Sequence, residues 1–112
     1  MPHDDAERLR DMLLAARKIR ERLRGVSRDD FEQDEFLVSG VLYFLLVIGE
    51  AASKVTAEYR LVQPGIPWKL IVGLRHRLVH DYARIDREII WLTATTHLDS
   101  LIGLLESLVS DA

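Results

Sequence analysis

Between Val41 and Ala52 the chain reads VLYFLLVIGEAA, and Glu50 is the sole charge between Glu35 and Lys54. A helix of that composition is apolar around most of its circumference, so it belongs at the centre of a bundle with other helices packed around it. The greasiest part, Phe36 to Gly49, is interrupted by Ser39 and Gly40. It is short for a bilayer span, so a buried core helix is expected and no membrane association.

The flanking segments supply the packing partners. Leu9, Met12, Leu13, Ala16, Ile19 and Leu23 recur at three- and four-residue spacing, which predicts a first helix over roughly 4–24, stopped by Gly25. Ser27 and Asp30 form a capping pair for a second, longest helix reaching about Leu61. The run Gln63-Pro64-Gly65-Ile66-Pro67 cannot continue a helix. Pro67 suits the first position of a third helix, which carries Trp68, Ile71, Val72, Leu74, Leu78 and Val79 and ends near Asp81 or Tyr82. Asp86 can cap a fourth, with Ile89, Ile90, Leu98, Leu101, Ile102, Leu105 and Leu108 as its apolar stripe. No segment alternates with period two. The expectation is an all-α, up-and-down bundle of four main helices plus short helical turns, one domain over 1–112. Leu104, Leu105, Leu108 and Val109, with Trp91, offer more apolar surface than four helices cover, which suggests a homodimer.

Composition excludes several chemistries. There is no cysteine, so disulfides and thiolate catalysis are absent. The opening MPHDDAE has no apolar stretch of a signal peptide, so a cytoplasmic protein is expected. A net charge of −3 argues against constitutive, tight nucleic-acid binding. Charge is uneven, however: Arg17, Lys18, Arg20, Arg22, Arg24 and Arg28 form one basic run, and Lys69, Arg75, Arg77, Arg84 and Arg87 a second zone. The first run reads foremost as a solvated helix face, and secondly as a surface that guides RNA. No phosphate-binding glycine loop, Walker lysine or nucleophile elbow is present.

Chemistry concentrates in Gly73-Leu74-Arg75-His76-Arg77-Leu78-Val79-His80-Asp81-Tyr82. At about 100° per residue, His76 and His80 share one helix face, and their spacing can hold a metal. No glutamate stands three residues before any histidine, so a di-iron bundle site is excluded and no metal or cofactor is expected. Arg75 and His80 lie about 140° apart, so one helix does not aim both at one point. A two-fold dimer would bring the arginine of one chain near the histidine of the other. Arginine is a permanently charged fork that fits phosphate oxygens, and histidine exchanges protons near neutrality. Together they can cleave RNA without a metal, although the same residues also read as a plain, solvent-facing helix end. Glu50 has two readings: an ion pair with Lys54, or a carboxylate that orients Arg75 or His80. Trp68, Trp91, Tyr43 and Phe44 are assigned to core or interface.

Arg75-x4-His80-x-Tyr82 resembles the R-x4-6-H-x-Y motif of HepT-type HEPN proteins, in which His76 fits the usually polar position after the arginine. Ile48-Gly49-Glu50-Ala51-Ala52 is similar to the family's IGEAA segment, Pro67-Trp68 and Gly73-Leu74-Arg75 to its entry into the motif helix, and Ile85-Asp86 to its exit. The resemblance implies a HEPN-like homodimeric toxin that is a metal-independent endoribonuclease. Arg75 and His80 would be catalytic, His76 and Glu50 supporting, and no cofactor is needed. It also implies a partner, an MntA-like nucleotidyltransferase antitoxin that transfers AMP to the motif tyrosine, here Tyr82. The dimer could enlarge into a higher assembly with that antitoxin. The competing reading is a non-catalytic HEPN module that only partners a nucleotidyltransferase. A purely structural helical dimer ranks behind both.

Overall fold

A computed structural model describes residues 2–81, 84 and 86–109. Seven helices run through them: α1 (His3–Leu23), α2 (Arg28–Gln33), α3 (Glu35–Lys54), α4 (Ala57–Val62), α5 (Trp68–Asp81), α6 (Arg87–Thr96) and α7 (Leu98–Leu108). The all-α expectation holds, with α1, α3, α5 and the α6–α7 pair as its main members. Among the described residues there is no strand.

α1 buries Leu9, Met12, Leu13, Ala16, Ile19 and Leu23, the stripe its spacing predicts. Asp4 and Asp5 in its first turn and Arg20 and Arg22 in its last oppose the helix dipole favourably. Gly25 adopts φ 75°, a left-handed conformation that lets the chain leave the helix without a Cβ clash. Ser27 Oγ then accepts the Asp30 N–H at 3.1 Å, as the capping pair predicts.

The predicted second helix is in fact three. Asp34 breaks it first: its backbone is extended (φ −103°, ψ 96°) and its carboxylate accepts the Leu37 N–H, which caps α3. The short α2 seats Phe31 in the core against Trp91, ring centroids 5.3 Å apart. The second break, Val55-Thr56, is imposed from α1. Thr56 donates its backbone N–H to Asp5 Oδ1 (2.9 Å) and its hydroxyl to Asp5 Oδ2 (2.7 Å). An N–H spent on Asp5 is not available to the helix, and Thr56 instead caps α4 through Tyr59. Arg60 closes the end of α3 by donating to the carbonyls of Ala52 and Ser53 at 2.9 Å each. The predicted fourth helix also divides at His97, just after Thr95 turns its hydroxyl back onto the Trp91 carbonyl.

Asp5 is fully buried, and burial followed by this carboxylate pushes the Tyr59 phenol above its ordinary value. Asp5→Ala strands both Thr56 donors. Its expected cost is about 2–3 kcal/mol in urea unfolding, whereas Asp5→Asn, which keeps one acceptor, loses less. A loss below about 0.5 kcal/mol in the alanine variant would show that the tie is not structural.

α3 is the centre of the bundle, packed mainly on α1 and α5 and also on α2 and α6. Its buried side includes Val38, Val41, Leu45, Ile48, Gly49, Ala51 and Ala52. At 20 residues α3 is longer than the Phe36–Gly49 stretch suggests, and by length and composition alone it is long enough to cross a membrane. In the bundle it is the core helix. α7 lies on α1 and α6. Leu105 and Val109 are therefore buried within the chain, and Leu104, Leu108 and Trp91 are partly covered. The C-terminal stripe thus gives less support for a dimer than its sequence suggests. The apolar side chains that do face solvent include Phe36, Tyr43, Leu70 and Val79.

Candidate functional site at the α3–α5 contact

α3 and α5 meet where α3 has no side chain. A Cβ built on Gly49 would lie 2.2 Å from Arg75 Cβ and 2.7 Å from its Cγ, so the absence of a side chain there lets Arg75 lie against α3. One residue on, Glu50 receives the guanidinium, with Arg75 Nη2 at 2.8 Å from Oε2. Lys54 Nζ sits 3.4 Å from the other carboxylate oxygen. Both readings of Glu50 are thus realised at once. Arg75 and Glu50 side chains are 36% and 45% exposed, so the pair contributes little to stability, and its effect is to fix where the guanidinium points.

Arg75 and Glu50 line a groove of about 370 Å³ together with Tyr43, Val47, Val79 and Arg8. Tyr43 is 60% exposed and so is not a core residue. Trp68 is buried and donates its indole N–H to the Gln63 carbonyl at 3.0 Å, and Trp91 is half-buried on Phe31. Phe44 is partly buried, with Lys18 Nζ 5.4 Å from its ring centroid.

The two motif histidines occupy another face of α5. His76 and His80 are both exposed, with ring centroids 4.3 Å apart and planes inclined at 57°. Neither lines the Arg75 groove, as the azimuths predict. One chain therefore places Arg75 with Glu50 and His76 with His80, but does not bring the two pairs into one pocket. Tyr82 lies outside the described residues. Among the described residues no group of three or more histidine, aspartate or glutamate side chains is arranged to hold a metal.

The basic run 17–28 is substantially neutralised in place. Arg17 meets Glu106 at 2.7 Å, Arg24 meets Glu21 at 3.1 Å, and Arg28 meets Glu88 at 3.1 Å. That favours the solvated-face reading over an RNA track. Gly49 is the residue of this contact that reasoning by residue type overlooks; its place within the IGEAA segment is the one signal for it.

The sequence profile of the family described as Ribonuclease HepT-like matches residues 12–108. The chain belongs to the HepT-like ribonuclease family. It is 30% identical over 108 residues to "Probable ribonuclease HepT" of Thermococcus cleftensis, an alignment that covers 96% of this chain and 98% of the relative. It is also 36% identical over 81 residues to "Putative RNase TTE0752" of Caldanaerobacter subterraneus subsp. tengcongensis, covering 72% of each. No solved structure gives a significant match. Arg75 and His80, whose spacing resembles the HepT motif, are both carried by α5, and Glu50 and Gly49 of α3 hold the first of them in place.

Proposed function

We propose that this HepT-like chain is an endoribonuclease toxin whose active site is completed across a homodimer, with Arg75 of one protomer working beside His80 of its partner. The observation that carries this is the separation of the two groups around α5: Arg75 is clamped toward α3 while His80 faces elsewhere in the last turn. The relatives named as ribonucleases support the substrate class. The exposed apolar side chains Tyr43 and Val79, which border Arg75, supply a surface on which a second copy can close.

In such a cleft Arg75 holds the non-bridging oxygens of an RNA phosphate and stabilises the charge that builds on them. The ribose 2′-oxygen attacks phosphorus and the bond from phosphorus to the 5′-oxygen breaks. His80 takes the 2′-hydroxyl proton or supplies one to the leaving oxygen. This chemistry needs no metal ion. Tyr82, two residues beyond His80, is the expected acceptor of AMP from a nucleotidyltransferase antitoxin in the cytoplasm. An added phosphate there brings bulk and negative charge to the arginine that would otherwise bind RNA.

Complementation tests the shared cleft. Arg75→Ala and His80→Ala homodimers are each inactive. Mixing and re-associating the two restores one intact site in each mixed dimer, so RNA cleavage returns to about a quarter of the wild-type level. A mixture as inactive as its components would place both residues in one protomer's site and overturn the composite arrangement. The alternative of a non-catalytic module draws support from the ion-paired basic run, and it requires that the unmodified wild type cleave no RNA.

A further inference from the structure

The paired imidazoles of α5 suggest a second property. We infer that His76 and His80 form a two-histidine site for a zinc-class transition-metal ion, and that its occupation switches the nuclease off. The inhibitory part rests on the proposed nuclease reading; the binding part does not.

The geometry favours chelation. The histidines are four residues apart on a continuous helix, their rings lie 4.3 Å apart, and both are exposed to solvent. That spacing puts two imidazole nitrogens on one side of a helix, the arrangement from which zinc sites on helices are built. Because α5 holds both rings in place, the second nitrogen binds as an intramolecular ligand and little ordering entropy is lost. His80 also occupies the last turn of a 14-residue helix, where unpaired carbonyls make the terminus electronegative and favour a cation. Of the two arginines on this stretch of α5, Arg75 is met by Glu50 at 2.8 Å, while Arg77 is exposed to solvent, where its charge is screened. With two protein ligands the ion keeps water in its remaining positions, so the site is built for reversible occupation and not for a structural metal.

The consequence for catalysis follows from the lone pair. A metal held by His80 occupies the nitrogen that must otherwise carry the proton between the 2′-hydroxyl and the leaving oxygen. It also sets a positive, hydrated ion in the path of the reacting phosphate, which it would hold unproductively.

Isothermal titration of the intact protein with zinc chloride, after EDTA treatment and its removal, gives the direct test. One zinc ion per chain is expected, and His76→Ala or His80→Ala each weakens binding roughly 100-fold. His3→Ala and His97→Ala leave it unchanged. His3 is the informative control because it pairs with Glu7 at 3.1 Å and is the rival donor set. Wild-type binding no tighter than in the His76 and His80 variants, or a loss shared by His3→Ala, would overturn the site. In RNA cleavage assays the inhibition midpoint should coincide with the calorimetric affinity, and EDTA should restore the rate. Zinc that binds at the pair without slowing cleavage would overturn the switch. A protein that binds zinc there but never cleaves RNA would instead remove the nuclease reading and leave the metal site standing.

Discussion

Gly49→Ala should be the most damaging single-methyl change in this chain. The added Cβ would fall 2.2 Å from Arg75 Cβ and 3.3 Å from its Cα, far inside contact distance. Those atoms belong to the backbone and the root of the side chain, so no rotamer change removes the clash, and α3 and α5 must part. Overpacking of a core contact costs about 1–3 kcal/mol and sometimes more, and a clash with another helix's backbone sits at the upper end. We expect about 3 kcal/mol in denaturant unfolding, which for a domain of this size is a fall in Tm of roughly 10 °C or more. Gly40→Ala on the same helix is the control. Nothing lies within 4 Å of a Cβ there, so it should be neutral or stabilise the protein by up to about 1 kcal/mol. Equal effects from the two substitutions would show that helix propensity, and not the close approach to Arg75, governs both.

The second large effect concerns chemistry without stability. His80 is exposed at the end of α5 and lies outside the hydrophobic core, so His80→Ala should leave the unfolding free energy within about 0.5 kcal/mol of wild type. Losing the proton carrier should nevertheless lower kcat for RNA cleavage by about 10²–10⁴-fold, with KM little changed. Arg75→Ala should differ in kind. It removes a phosphate ligand and leaves Glu50 without its 2.8 Å partner in the groove, so RNA binding weakens along with turnover. Toxicity in cells should fall in both variants.

The parts of the fold that depend on local chemistry are readable in the sequence. The α1 stripe and the Ser27 and Asp86 caps each follow from residue type and spacing, and each is present, while Pro67 stands one residue before α5 and not at its first position. The single long second helix expected from the sequence divides instead at Asp34, whose carboxylate caps α3, and again at Thr56. The break at Thr56 has no local signal. It exists because Asp5, 51 residues earlier, takes the Thr56 N–H, and no local pattern encodes that contact. The site divides along the same line. Helical azimuth alone separates Arg75 from His80 and joins His76 to His80, as the structure shows. By contrast, the close packing of Gly49 on Arg75 and the simultaneous hold of Glu50 on Arg75 and Lys54 arise only when α3 and α5 meet.

The proposed nuclease function is tested most directly by incubating single-stranded RNA with the purified, unmodified protein in EDTA, with His80→Ala alongside. Cleavage should survive the chelator and disappear in the variant, while both proteins unfold at the same denaturant concentration. A folded wild type with an unmodified Tyr82 that leaves RNA intact, or a His80→Ala protein that cuts as well as wild type, would contradict it.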